Sequence, residues 1–233
     1  MQIPLARAGW REMLILSLLF GSAAAVACAA ATRGCSWCWP VAGACILGWL
    51  AGILFFRDPD RRTPPDSAAL IAAADGKIVE IATLDRHEDV GDGPAMRIST
   101  FLSLLDVHVN RSPCAGVVRK IRYKRGRFLD ARHPDCGRLN EANTIVIDPD
   151  LPHVGPIVVR QIAGKIARRI VCSVAEGDRV EAGERIGLIK FGSRTEIIVP
   201  GCDLYAPCVT VGQSTRGAVT IVARRTADGE KAC

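Results

Sequence analysis

The chain is poor in aromatic residues, which fill 5% of its 233 positions, and it has no basic tract with interleaved aromatics. Its formal net charge of +6 therefore does not point to nucleic acid, which calls for stacking rings and a continuous cationic stripe. Anionic lipid is the better match for such a charge. Histidine is scarce, with four residues in all. No metal is expected, because Cys35-Ser36-Trp37-Cys38, which has the spacing of a redox pair or half a zinc site, has no second pair at matching spacing. Ten cysteines could form a disulfide framework. However, Cys28, Cys35, Cys38 and Cys45 lie in apolar N-terminal sequence and the others are scattered through strand-like runs, so most should act as small buried hydrophobes.

Apolar sequence is abundant. Hydrophobic residues make up 49% of the chain and the mean hydropathy is +0.20, high for a wholly water-exposed protein. Residues 13–31 carry no charge and would reach about 28 Å as a helix, close to one hydrocarbon thickness. A second run, residues 41–56, follows a short connection and would reach about 24 Å. Arg7 and Arg11 precede the first run, Arg57, Arg61 and Arg62 follow the second, and Arg33 stands alone between them. The positive-inside rule then places both ends in the cytoplasm, with the following domain on the cytoplasmic side of the cell (inner) membrane. A signal peptide ending near Ala25-Val26-Ala27 competes with this reading, but a second apolar run so close behind favours a hairpin anchor.

Residues 57–67 hold Pro59, Pro64 and Pro65 and read as a stiff linker between an anchor over 1–56 and a domain over 68–233. Beyond it, short Val- and Ile-rich runs alternate with glycine and Asp-Pro turns, so the domain is expected to be mainly β, a barrel-sandwich-hybrid-like fold behind an apolar helical hairpin. Ala74-Asp75-Gly76-Lys77, Ala115-Gly116-Val117 and Ala163-Gly164-Lys165 each look like a glycine turn opening a strand. The stretch EGDRVEAGERIGLIKFG resembles the half-barrel of biotinyl and lipoyl carriers, but its turn carries Glu181-Ala182-Gly183 where a carrier needs a lysine. Lys190, the other candidate for modification, lacks the flanking methionines of a biotin acceptor.

Two places carry potential chemistry. In FLSLLDVHVNRSP, residues 101–113, strand periodicity puts Asp106, His108 and Asn110 on one face, with Arg111 beside them. A histidine next to an aspartate is a candidate acid or base. In GLIKFGSR an apolar run is interrupted by Gly192-Ser193. That pair fits a bend in a small barrel, and equally a serine hydroxyl placed to attack the preceding carbonyl.

Together FLSLLDVHVNRSP, RQIAGKIARRIVC and GLIKFGSR, with AADGK around Asp75 and FFRDP before the linker, resemble the short form of phosphatidylserine decarboxylase. The resemblance runs in order from about Phe55 to Arg194. It implies a proenzyme that cuts itself between Gly192 and Ser193 into residues 1–192 and 193–233, which then stay associated. It further implies a pyruvoyl group made from Ser193 that forms a Schiff base with phosphatidylserine and yields phosphatidylethanolamine and CO2. His108 would serve decarboxylation and Asp75 self-cleavage, with Asp106, Asn110, Arg111 and Asn140 supporting them. Long-form members carry a second histidine where this chain has Arg111, so their Ser-His-Asp processing triad does not transfer. The expected partners are phosphatidylserine, the bilayer and the chain's own two products. A homo-oligomer is left open, and a membrane-tethered carrier or a β-barrel adaptor stands as the alternative.

Overall fold

The computed structural model describes residues 4–150, 155–165, 169–190, 192–201 and 204–226. His153, Ile166, Ala167, Arg168, Phe191, Cys202 and Cys233, all drawn on above, lie outside the described residues. The chain divides into two compact units, Met1–Asp60 and Arg61–Cys233.

The first unit is a helical pair. After a 3-10 turn at Arg7–Gly9 come α1 (Trp10–Thr32) and α2 (Cys38–Phe55), both long and apolar enough to cross a membrane. They begin three residues earlier than hydropathy alone suggests, because the flanking residues can continue a helix. Pro40 falls in the first turn of α2, where its missing N–H costs nothing. The helices run antiparallel, with Trp49 Nε1 donating to Ser17 Oγ at 2.9 Å, Leu16 lying over Gly52 and Phe20 over Gly48. Small residues at such a contact let two apolar helices approach closely. Leu14, Leu18, Leu47, Leu50 and Leu54 remain exposed, a surface suited to lipid.

The second unit is mainly β. Its strands are β1 (Ala69–Ile71), β2 (Gly76–Leu84), β3 (Ala95–Leu102), β4 (Val109–Arg111), β5 (Gly116–Lys124), β6 (Ala142–Pro149) and β7 (Ile157–Ala163). There follow β8 (Arg169–Cys172), β9 (Arg179–Val180), β10 (Arg185–Lys190), β11 (Ser193–Pro200), β12 (Tyr205–Pro207), β13 (Ser214–Thr215) and β14 (Ile221–Arg225). A four-residue helix, α3 (Cys136–Leu139), lies between β5 and β6. Eight strands form a curled sheet in the order β13-β2-β3-β11-β7-β6-β5-β9, and two three-stranded sheets, β4-β10-β8 and β1-β14-β12, complete the half-barrel. Alternation along the strands separates two cores. Ile98, Ile145, Val159 and Ile197 face the larger one, whereas Val146, Val158 and Ile198 face the smaller.

The sheet is a disguised repeat. Gly177 N–H donates to Val118 O and Gly212 N–H to Ile78 O, both at 2.8 Å, while Val118 and Ile78 N–H return bonds to Asp178 O and Gln213 O, again at 2.8 Å. Thus β9–β5–β6–β7 and β13–β2–β3–β11 are equivalent halves meeting at the β7–β11 pair. Gly76 and Gly116 open β2 and β5 as the sequence suggests, and a methyl on either would meet a neighbouring carbonyl oxygen, at 2.1 and 2.3 Å. The third supposed strand opener differs, because Gly164 follows the end of β7.

Two further expectations change. Of the eight described cysteines only Cys114 and Cys136 are buried, while Cys35 and Cys208 are exposed. The Pro-rich segment does not hang free from Arg61 onward: Thr63 Oγ1 donates to Ala182 O at 3.2 Å and Asp66 pairs with Arg224 at 3.2 Å.

Candidate active site

Residues 101–113 do not form one strand. β3 ends at Leu102, and the Asp106 carboxylate closes a turn by accepting both the Ser103 N–H and the Ser103 hydroxyl at 2.7 Å. Asp106 is therefore spent on the turn and shares no strand face with His108, because a short side chain three residues on can reach back and bond the backbone. The chain then enters β4 beneath the sheet, which buries His108 and Asn110 completely.

His108 Nδ1 lies 2.9 Å from the backbone carbonyl of Asp106, and Gly192 N–H donates to His108 Nε2 at 3.3 Å. A carbonyl can only accept, so the two contacts require the Nδ1–H tautomer of a neutral imidazole with its Nε2 lone pair on the Gly192 side. Ser193 opens β11, where it pairs with Leu102 on one side and Ala163 on the other. Its hydroxyl is fully buried and has no hydrogen-bond partner among the described residues. A buried hydroxyl left in this way costs stability, and such orphans call for a functional explanation.

Gly192 has φ +65°, a conformation that suits glycine. Its carbonyl oxygen would lie 2.2 Å from a methyl placed on Gly164, so Gly164 must lack a side chain for that carbonyl to sit where it does. Sequence reasoning missed this role. Only the glycine in RQIAGK marks it, and a turn explains that residue equally well.

The other candidates fall into separate groups. Asn110 donates from Nδ2 to Thr195 Oγ1 at 3.1 Å and accepts from Gln161 at 2.8 Å, and Gln161 in turn accepts from Asn143 at 2.9 Å. This buried amide chain locks β11 to β4 and β7. Asn140 binds Leu129 N–H and O at 2.9 Å each and donates to Ala163 O at 2.8 Å, so it staples a loop to the residue opposite Ser193. Arg111 donates to Gly183 O at 3.0 Å from a buried position.

Asp75 is held by both arms of Arg61, and its Oδ1 also accepts Gly217 N–H at 2.8 Å. The charge of Arg61 is thus spent on Asp75, not offered to lipid. Asp75 and Asp106 line a cavity of about 520 Å³ with Lys77, Phe101, Ser103 and Arg216. Ser193 and His108 are not among its lining residues.

On the reverse face of β11 lies an ion cluster. Buried Arg194 pairs with Glu80, donates to Ser99 Oγ at 2.7 Å and sets its Nε 3.0 Å from Glu196 Oε1, an ion pair without hydrogen-bond alignment. Burial works against the Arg194 charge, yet Glu196, Cys136 and Glu80 outweigh it and raise the guanidinium pKa. Burial likewise raises Glu80, but Arg97 and then Arg194 prevail and hold its carboxyl below the usual range. Among the described residues no group of three or more His, Cys, Asp or Glu could hold a metal.

An orphaned serine, a glycine-shaped turn and an imidazole gathered at one strand end belong to an enzyme and not to a carrier, whose lysine would be exposed; Lys190 is buried. The family model described as phosphatidylserine decarboxylase matches residues 51–223. The phosphatidylserine decarboxylase proenzyme of Gluconacetobacter diazotrophicus is 47% identical over 175 residues, covering 74% of this chain and 76% of that one. The proenzyme of the same name from Gluconobacter oxydans is 47% identical over 176 residues with the same coverage, and that of Salinibacter ruber 44% over 182 residues, 76% of this chain and 78% of that one. The chain belongs to the phosphatidylserine decarboxylase family and is a decarboxylase.

Proposed function

We propose that the chain is a proenzyme that cuts itself between Gly192 and Ser193 and then decarboxylates phosphatidylserine to phosphatidylethanolamine. The observation that carries this reading is the buried Ser193 hydroxyl, without a partner among the described residues, directly after a positive-φ glycine whose N–H meets His108. Ser193 Oγ attacks the Gly192 carbonyl carbon, the peptide C–N bond breaks, and an ester joins the two residues. Gly164 leaves that carbonyl room, and His108 Nε2, which accepts the Gly192 N–H, would exchange that contact for the hydroxyl proton. Loss of the Ser193 α-proton then expels residues 1–192 as a carboxylate and leaves dehydroalanine at position 193. Tautomerisation and addition of water release ammonia, so residue 193 becomes a pyruvoyl terminus.

The residues present fit that group, since Ser193 is its precursor and is buried, followed on its own face of β11 by the neutral Thr195 and Ile197. Once formed, the pyruvoyl carbonyl supplies the electron sink that ordinary side chains lack. His108 would then position the substrate or move the proton at its Cα. Asp75 supports self-cleavage from its clamp with Arg61 and Gly217. The Asn110–Thr195 bond and the Arg194–Glu80 pair of the reverse-face cluster would keep the two products together, while the Asn140 staple would hold the loop opposite Ser193 within the larger one. The helical pair would anchor the protein in the inner membrane with both ends in the cytoplasm, as Arg7, Arg11, Arg57 and Arg62 favour.

The test is the intact mass of detergent-solubilised protein. A fragment that begins at residue 193 and lacks its terminal amine, in a preparation that releases CO2 from phosphatidylserine, is the expected result. A single uncut chain in folded protein would overturn the reading.

A further inference from the structure

The turn closed by Asp106 presents two leucines to solvent, Leu104 at 48% and Leu105 at 84% exposure. They sit between Ser103 and Asp106, both of which line the cavity of about 520 Å³. The same cavity is lined by Lys77 and Arg216, both exposed and without an ion pair among the described residues. Of the two acids in the lining, Asp75 is neutralised by Arg61, so Asp106 alone opposes the two cations and the rim is net positive. Val211, 61% exposed, belongs to the neighbouring turn, whose Gly212 would place a methyl 3.9 Å from Lys77 Cε.

The repeat supplies a control. At the equivalent places in the other half, Val211 is matched by Glu176, Arg216 by Glu181 and Lys77 by Val117, so one apolar residue and two cations become two acids and a valine. The backbone does not require this apolar, cationic rim.

We propose that Leu104, Leu105 and Val211, ringed by Lys77 and Arg216, form the surface by which the β domain docks onto an anionic lipid bilayer, the leucines entering the interface and the cations meeting lipid phosphates. This rests on the lipid-decarboxylase reading above. Exposed leucines beside unpaired cations match the apolar and anionic layers of such a membrane. A second copy of the chain fits less well, because a self-complementary contact would set Lys77 and Arg216 against the same cations.

The test uses the full chain in lipid nanodiscs of phosphatidylcholine, with or without phosphatidylglycerol, an anionic lipid that has no amine to react. A photoreactive leucine analogue is placed at residue 105 or, for comparison, at residue 117. Residue 105 should form acyl-chain adducts, more of them in the anionic discs, and residue 117 should form few. Lys77→Gln and Arg216→Gln should each lower the adduct yield at residue 105 by about fivefold in anionic discs. Equal yields at 105 and 117, or adducts to a second protein chain, would overturn the proposal. Phosphatidylethanolamine production from phosphatidylserine discs is read in the same preparation. Its absence alongside lipid adducts at 105 would sink the decarboxylase reading and leave the docking surface standing.

Discussion

The half of the sheet built on β2 and its counterpart built on β5 share a backbone down to individual hydrogen bonds, yet Asp75 and Ser193 belong to the first alone. Where β2 is preceded by Asp75, β5 is preceded by Ala115. Position by position, Lys77 stands against Val117 and Arg216 against Glu181. A duplicated scaffold can thus keep its glycine turns and inward apolar residues while its polar positions diverge. Folding constrains the former through close packing, and only chemistry constrains the latter.

The largest expected effect sharpens that contrast at the junction of the halves. Ser193→Ala should remain full length by intact mass and form no phosphatidylethanolamine, because it lacks both nucleophile and pyruvoyl precursor. His108→Ala should lower activity by roughly 100- to 10,000-fold, the span usual for a lost acid–base group. Mass analysis of the same variant separates its roles, since a cut but inactive protein would confine His108 to decarboxylation. Gly164→Ala should slow self-cleavage by roughly 100-fold, the scale of a misplacement of about an ångström. Cleavage at the normal rate would mean that the Gly192 carbonyl has no need of that space.

Asp75→Ala makes the first half resemble the second and strands the guanidinium of Arg61, whose side chain is 11% exposed. A loss of about 3 kcal/mol in stability is expected from denaturant unfolding. Adding Arg61→Ala should restore much of that stability. Asp75→Ala should also fail to cut itself; if self-cleavage returns in the double variant, Asp75 is only a partner for Arg61, and if cleavage stays lost, Asp75 takes part in the reaction. The smallest effect concerns Glu80. Its folded pKa lies below its ordinary value of 4.5, so its stabilising contribution is complete above that pH and is lost as pH falls through the folded pKa. Melting temperature should therefore fall more steeply below pH 4.5 in the native protein than in Glu80→Gln.

Much of the architecture was legible in the residues. Long uncharged apolar runs admit few solutions other than helices of bilayer length, and both were found within three residues of where hydropathy starts them. Short β-branched runs behind glycine turns likewise foretold the mainly β domain. The 101–113 segment was harder, because Asp106 reaching back to Ser103 is a local hydrogen bond that strand periodicity does not anticipate. Arg61 looked like a topological charge next to Arg62, and only its contact with Asp75, 14 residues on, assigns it to the β domain. Of the repeat only the glycine turns at Gly76 and Gly116 were visible, since its halves share backbone bonds but few side chains.

By itself the sequence determined the apolar helices, the mainly β character and the motifs that mark the family, all of which depend on composition, short-range periodicity or a few ordered residues. Only the tertiary structure decided that His108 meets Gly192 across 84 positions, that Gly164 clears the Gly192 carbonyl and that the Ser193 hydroxyl finds no partner among the described residues. These contacts join strands distant in sequence. Their geometry is set by the curl and register of the sheet, which no local run of residues encodes.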